Sequence, residues 1–415
     1  MFMHSIAPNP QILVINPLVS ASYLSEQMKS ADFPCTALYT GMASQVPGYC
    51  RPDPTLFDKQ IHVESDNLLD VLEAFQPQDY SYVLNGSEES TFITDYITCL
   101  YFRTWSNDPR SSRRRIDKYE MQTALAEAGL PSIRQVKVCS SWTDSDLRKH
   151  LESFCFPAFC KPAFGYGSLG AFAAASLAEV KQGMDEHRQH REMEYVIQEL
   201  ICGKEYIIDT FSAEGIHHVC SIHKNQKELI QNRPLYRITE VEKDPEIILR
   251  CENYAVELLN ALDFRNGPAH IEIFLQENGS IKLIEINNRI SGGRGVVNKL
   301  AMLSGLTSQD AALRQLLKFG RVFPAPCDAA AGLARGLVLY KLTGGTVYDP
   351  MPKLDTFKTV RETIMLKAVG EELPACPQPS LLDAVCIILL HDHDEELVES
   401  ETKAIFAGER MGILP

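Results

Sequence analysis

The stretch HIEIFLQENGSIKLIEINNR, residues 270–289, carries two β-rich runs on either side of Asn278-Gly279. Asn-Gly is the favoured pair for a two-residue hairpin turn, and folding about it sets Glu272 opposite Glu285 and His270 opposite Asn287. Side chains alternate across a strand, so these four share one face. Ile271, Ile273, Ile284 and Ile286 fall on the other face and mark it as core. Counted from the turn, Glu272 and Glu285 form a non-hydrogen-bonded pair with Cβ atoms about 4.5–5.5 Å apart. Directly opposed carboxylates destabilise a sheet unless a cation sits between them. Oxygen ligands from two Glu and one Asn suit Mg2+, which usually keeps waters and substrate phosphates as well. The competing reading, a solvated face with two exposed glutamates, fits less well beside so apolar a second face. Arg289 lies two residues beyond Asn287, on the same side if the strand continues, and is suited to bind a transferring phosphoryl group.

A second constellation lies upstream in FPAFCKPAFGYGSLGAF, residues 156–172, where Gly165, Gly167 and Gly170 are spaced G-x-G-x-x-G. A dinucleotide loop of that spacing joins a strand to a helix. Here AFAAA after Gly170 reads as a strand, and a helix begins only at Ser176, with Glu179 completing a capping-box pattern. A P-loop places its lysine after the glycines and a kinase on a later strand, whereas Lys161 precedes them. What remains is a strand ending at Lys161-Pro162 and a glycine hairpin whose backbone N–H groups close over phosphates while Lys161 neutralises charge. On the spacing alone, a surface hairpin with a solvated lysine fits as well.

The chain has 415 residues, 45% hydrophobic and 23% charged, and a formal charge of −14. That length suggests about three domains at roughly 150 residues each. The negative charge argues against a general binder of nucleic acid or anionic membrane, yet leaves room for anionic small molecules in a local cationic pocket. MFMHSIAPNPQILVINPLV has no basic leader and reads as an opening strand, and no run reaches the roughly 20 apolar residues of a membrane span. The 12 cysteines form no C-x-x-C pair, so reduced thiols in a cytoplasmic protein are expected.

Strands and helices alternate up to about residue 112, as in a parallel α/β unit. SNDPRSSRRR is a turn-rich, basic boundary; its arginines read as solvated, with Arg115 the one open to phosphate. Residues 133–205 read as a small α+β lobe around the glycine loop, and FPAPCDAAAG as a linker. LLHDHDEE, 391–396, offers a metal-like cluster but reads better as a strand end followed by the acidic first turn of the last helix.

Together these residues resemble the ATP-grasp superfamily, and more closely its carboxylate–amine ligases, such as the L-amino-acid (dipeptide) ligases. The resemblance covers nearly the whole chain. It implies an α/β and α+β multidomain architecture: an N-terminal pre-ATP-grasp α/β domain at 1–112, an ATP-grasp domain at 113–325 with a lid lobe at about 133–205, and a C-terminal α+β domain at 326–415. NDPRSSRRRIDKYEMQTALAEAGLP matches the segment holding the first ATP lysine, at Lys118. FPAFCKPAFGYGSLG matches the second, at Lys161, with Gly165, Gly167, Ser168 and Gly170 around the phosphates. YVIQELICGKEYIID resembles the adenine hinge, so Gln198, Glu199 and Ile201 are expected at the base and Glu205 at the ribose hydroxyls. The magnesium motif falls on Glu272, Glu285 and Asn287, and the phosphate-stabilising arginine on Arg289. His270 and Arg294 are the substrate-side candidates, Arg294 for a carboxylate.

The implied activity joins a carboxylate to an amine, two amino acids in the nearest form, through an acyl phosphate formed from ATP. Two Mg2+ ions are implied, with Mn2+ able to substitute; the expected partners are small-molecule substrates and a second copy in a homodimer. The sequence departs from the family pattern at Gln198, where Glu is usual, and at Asn288, where proline is common. NGSEEST, residues 85–91, loosely matches an N-terminal G-x-E segment, and HKNQKELIQNRPLYRI has no counterpart. Two rival functions share the fold: a biotin-dependent carboxylase subunit, although no A-M-K-M attachment sequence is present, and a non-catalytic nucleotide sensor, which would not need Arg289.

Overall fold

The two central strands of the first sheet are apolar enough to be buried on both sides, as parallel sheets require. β1 (Ile12–Ile15) lies at 0% exposure. It pairs in parallel with β2 (Cys35–Tyr39), which pairs in turn with β3 (Lys59–His62); β4 (Tyr82–Asn85) closes the order β3-β2-β1-β4. The parallel α/β unit expected from the alternation is therefore present. The computed structural model describes residues 10–18, 20–44, 46, 51–165, 170–187, 193–231, 233–376, 379–412 and 414. Where the chain leaves β4, a Cβ on Gly86 would come within 2.6 Å of the Ile15 carbonyl oxygen. Only glycine allows that close pass, and it sets Ser87 and Glu88 at the mouth of the sheet.

The second sheet is the small lobe. β5 (Gln135–Cys139), β6 (Ala158–Pro162), β7 (Phe172–Ala174) and β8 (Glu194–Glu199) run antiparallel in the order β5-β8-β6-β7. Helices Asp144–Leu151 and Leu177–His187 cover it through Leu147, Leu151, Val180 and Met184. The glycine loop joins two strands, β6 and β7, as its context predicts. Ser176 and Glu179 cap the start of the following helix: Glu179 N donates to Ser176 Oγ at 3.3 Å, while the Glu179 carboxylate accepts from Ala175 N, one residue before the expected cap, at 2.9 Å.

The third sheet is the largest. It uses β9 (Lys204–Ala213), β10 (Ile216–Ile230), β11 (Arg233–Val241), β12 (Gly267–Leu275), β13 (Ile281–Asn287) and β14 (Leu333–Tyr340). After a two-residue β15 (Gly345–Thr346) come β16 (Val360–Met365), a two-residue β17 (Glu372–Leu373) and β18 (Ala384–Asp392). The order is β13-β12-β9-β10-β11-β14-β18-β16, antiparallel throughout, with β15 and β17 paired apart. Helices Lys118–Glu127 and Pro245–Ala261 pack on it through Met121, Leu125, Leu258 and Leu259 against Ile271, Ile273, Leu283 and Ile286.

The division into units 1–112, 113–325 and 326–415 is a proposal about folding units, and the large sheet is continuous across its second boundary. Arg335 on β14 binds Glu240 on β11 at 2.6 Å and Glu399 of the last helix at 2.7 Å, tying the C-terminal strands to their neighbours. The HDHD segment is strand end plus helix start: β18 stops at Asp392, and Asp394 Oδ1 caps Leu397 N at 3.1 Å. No group of three His, Cys, Asp or Glu suited to a metal occurs among the described residues. Nor is any described helix long and apolar enough to cross a membrane.

Candidate active site

Hairpin β12–β13 places Glu272 opposite Glu285 and His270 opposite Asn287, the expected pairs, by a route the sequence does not reveal. The turn is a three-residue loop: Gln276 N donates to the Ser280 carbonyl at 2.9 Å, and Gly279 takes φ +85. This shifts the register by one, so Ile273 faces Leu283 rather than Ile284. A bulge between Glu272 and Ile273 adds Ile284 and shifts it back. Ile284, expected in the core, is consequently half-buried, and Leu283 takes its place at 0% exposure. A bulged residue is left out of the ladder, and here the Ile284 carbonyl accepts from Lys161 Nζ at 3.2 Å.

Lys161 reaches that carbonyl from the end of β6, and burial pushes its ammonium down to about 8, with Glu285 opposing and Lys118 adding to the depression. Lys118 opens the helix Lys118–Glu127, where Asp117 Oδ1 caps Tyr119 N at 2.9 Å. Its Nζ lies 3.3 Å from Glu285 Oε2 and donates to the Gly165 carbonyl at 2.6 Å. Burial pushes the Glu285 carboxyl up, but Lys118 and Lys161 outweigh it and hold the group below its ordinary value. Asn287 Nδ2 points at Glu285 Oε1 at 3.5 Å.

His270 lies 3.4 Å by Nε2 from Glu272 Oε1 and 2.8 Å by Nδ1 from Asp209 Oδ1. Burial would depress its imidazole, yet the hydrogen bonds and charges of Asp209 and Glu272 raise it to about 9. Asp209 also accepts from Ser291 Oγ, which bonds Gln309 Oε1 at 3.0 Å. His270 thus backs Glu272 from beneath.

Arg289 joins the cluster through a residue that sequence reasoning left unassigned. Its Nε donates to Glu88 Oε1 at 3.1 Å and its Nη2 to the same oxygen at 2.5 Å. Burial raises the Glu88 carboxyl, against the lowering charge of Arg289. The loose G-x-E match was the only signal for Glu88. On β9, Glu205 accepts from Asn225 Nδ2 at 3.0 Å and Lys227 Nζ at 2.5 Å, and Lys227 sits 4.2 Å from the centre of the Tyr236 ring. Asn225, Lys227 and Tyr236 lie in the segment without a family counterpart.

The other expected positions are spread around this centre. Gly167 and Ser168 lie outside the described residues. Gly165 and Gly170 take φ +127 and +73, and a Cβ at Gly165 would meet nothing within 4 Å. Gln198 is engaged by ladder partners on both sides and by Gln135 at 3.1 Å, while the N–H groups of Glu199 and Leu200 donate to the Arg134 and Pro157 carbonyls. Ile201 follows at the connection to β9, half-buried. Arg294, at φ +54, is exposed and shares no hydrogen bond with the cluster among the described residues. Arg115 is corrected: it is neither solvated nor open to phosphate, being 0% exposed, 2.7 Å from Asp95 and bonded to the Leu262 and Asp263 carbonyls.

Each acid in the cluster therefore faces a cation: Glu285 with Lys118, Glu272 with His270, Glu88 with Arg289, Glu205 with Lys227. A hard cation on Glu272, Glu285 and Asn287 fits this set, since two carboxylates and an amide oxygen leave positions for water and phosphate. A cation held there would take over Glu285 and leave Lys118 free for an anion. Internal ion pairs of this kind would exchange for a metal and a polyanion with little change in net charge.

The ATP-grasp domain family matches residues 154–298. Dapdiamide A synthase of Enterobacter agglomerans is 26% identical over 241 residues, 56% of this chain and 55% of that protein. The chain spans about half the length of the curated relatives it matches. The L-amino acid ligase structure from Bacillus licheniformis superposes with TM-score 0.73 at 18% identity, covering 96% of this chain and 97% of that one. The ADP complex of N5-carboxyaminoimidazole ribonucleotide synthetase gives 0.71 at 13% identity, covering 99% and 100%. From these matches and the three sheets, the chain carries an ATP-grasp domain and has the ATP-grasp fold.

Proposed function

We propose that the protein is an ATP-dependent carboxylate–amine ligase that joins two amino acids in the cytoplasm. The observation that carries this reading is the convergence of Lys118 and Lys161 on the opposed Glu272 and Glu285, with Glu88, the acid that holds Arg289, within electrostatic reach of Glu285 and Lys118. A substrate carboxylate oxygen attacks the γ-phosphorus of ATP and displaces ADP, giving an acyl phosphate. The amine then attacks the acyl carbon, the amide forms and phosphate leaves. Lys118 and Lys161 hold the nucleotide phosphates, and Lys227 is a further cation, paired with Glu205. Arg289, released by Glu88, steadies the charge on the transferring phosphoryl group. Glu272, Glu285 and Asn287 would hold Mg2+, which would neutralise charge on the phosphate oxygens. The hinge from Gln198 to Ile201 seats the adenine through its backbone, with Glu205 beside the ribose. His270 keeps Glu272 in place, and Arg294 is the candidate for a substrate carboxylate.

Relatives named as ligases, the L-arginine-specific L-amino acid ligase of Bacillus subtilis among them, support this reading. The test is an ADP-release screen over pairs of amino acids, with the product identified by mass spectrometry. Amide formed one-for-one with ADP is expected. ADP release driven by bicarbonate and biotin alone, or none with any pair, contradicts it.

A further inference from the structure

The residue before Arg289 is fastened to the N-terminal unit rather than to its own sheet. Asn288 Nδ2 donates to Thr91 Oγ1 at 3.0 Å, and Asn85 Nδ2 donates both to the Asn288 carbonyl at 3.1 Å and to Thr91 Oγ1 at 3.1 Å. Thr91 Oγ1 in turn donates to the Glu88 carbonyl at 2.7 Å. A hydroxyl has one proton to give and two lone pairs to receive, so these partners saturate it. Thr91 is 0% exposed and Asn288 5%. Glu88, whose backbone Thr91 holds, is the residue whose carboxylate receives the Arg289 guanidinium. Both the backbone leading into Arg289 and the partner of its side chain are thereby tied to one buried hydroxyl, about 200 residues away in the chain.

The acceptor oxygen of the Asn288 side-chain amide has a place of its own. Asn288 Oδ1 is buried without a partner among the described residues. Asn288 lines a small cavity of about 30 Å³ with Asn85, Thr94, Asn107 and Asn266. That volume and those polar walls suit one bound water, which would satisfy the orphaned oxygen. A proline at 288 would fix the preceding backbone by its ring and need none of these contacts. Asparagine fixes it by bonds to another part of the chain.

We propose that Asn288 is a positioning residue for Arg289, held by Thr91 and Asn85, so that the N-terminal unit sets the orientation of the guanidinium. This rests on the role given to Arg289 above. The test measures ADP-forming turnover, with the substrate pair found in the screen, for Asn288→Ala, Thr91→Val, Thr91→Ser, the Asn288→Ala/Thr91→Val double variant and Arg289→Ala. Thermal unfolding and ATP binding are recorded for each. Asn288→Ala and Thr91→Val should each lower kcat roughly 10- to 100-fold, the scale of a misplaced reacting group, with KM for ATP unmoved. Thr91→Ser, which keeps the hydroxyl, should restore turnover, and the double variant should be no worse than either single one. Should Asn288→Ala fail to fold, Thr91→Val carries the test, being isosteric. Wild-type kcat in Thr91→Val, an equal loss in Thr91→Ser, or losses that add in the double variant would overturn the proposal. If Arg289→Ala loses turnover while Asn288→Ala and Thr91→Val do not, only the positioning role falls. If Arg289→Ala itself keeps turnover, the reading of Arg289 falls with it.

Discussion

The β6–β7 and β12–β13 hairpins deliver charge to the same cluster by opposite means. In β12–β13, Ile271, Ile273, Leu283 and Ile286 are at most 1% exposed, and β9 flanks β12 along its length. Its carboxylates are held by fixed partners, His270 beneath and Lys118 beside. β7 in the other hairpin has three residues at a sheet edge, and the connection opens at Gly165, where a Cβ would touch nothing. The dense hairpin fixes acids that need not move. On the proposed function, the sparse one is where a nucleotide would reorganise backbone. Lys161 joins the two, rooted on β6 and bonded to the bulged carbonyl of Ile284 on β13.

The comparison breaks most readily at Glu285. Glu285→Ala should abolish magnesium-dependent turnover. The sequence alone predicts that the change relieves repulsion in the hairpin; the structure reverses the sign. Glu285 is the carboxylate that balances Lys118 and Lys161, and stripping a partner from a buried pair costs about 3–5 kcal/mol. Lys161, already down to about 8, limits that loss by shedding its proton. The unfolding temperature of the nucleotide-free variant should therefore fall, and a rise in calorimetry would contradict the pairing.

Arg289→Ala comes next. It should bind ATP nearly as the wild type does and lose turnover by about 10²–10³-fold, the usual scale for one charge-stabilising donor. Steady-state rates beside equilibrium nucleotide binding check this, and turnover within a factor of three of wild type would remove Arg289 from the reaction.

These predictions rest on features of unequal legibility. The opposed glutamates were readable because alternation and Asn278-Gly279 point to one hairpin. The three-residue turn and the bulge at Ile284 were not, since their one-residue shifts cancel at Glu272 and Glu285. Arg115 looked like part of a solvated run because its partner Asp95 lies on the preceding helix, where its spacing gives no sign of a pair. Glu88 and Arg289 are 201 residues apart, and no local pattern signals such a contact. The join of β11 to β14 is likewise a pairing across about 100 residues. Local chemistry was legible; partners chosen by tertiary packing were not.

A smaller effect tests Lys161 by pH. Its folded value of about 8 lies below the roughly 10.4 of an unfolded lysine. Between those values the unfolded chain binds more protons, so this group makes the nucleotide-free protein more stable as pH rises. ATP phosphates need the ammonium, so affinity should run the other way, about tenfold weaker at pH 9 than at pH 7. Lys161→Arg should flatten the decline. Calorimetric titration across that range decides it, and a flat wild-type profile would contradict the burial of this lysine.

Hydrogen exchange sharpens the contrast of the hairpins with the smallest signal. An ATP analogue with Mg2+ should add protection from Ala158 to Gly165 and from Gly170 to Ala174, and little at Ile271, Ile273 and Ile286, which are protected already. Equal gains in both hairpins would erase the distinction.

The acyl phosphate is the central claim, and oxygen tracing reaches it most directly. With the carboxylate substrate labelled in both oxygens with 18O, attack on the γ-phosphorus carries one labelled oxygen into phosphate when the amine displaces it. Mass spectrometry should find one 18O in each phosphate released and one retained in each amide. Amide accompanied by unlabelled phosphate would contradict the mechanism.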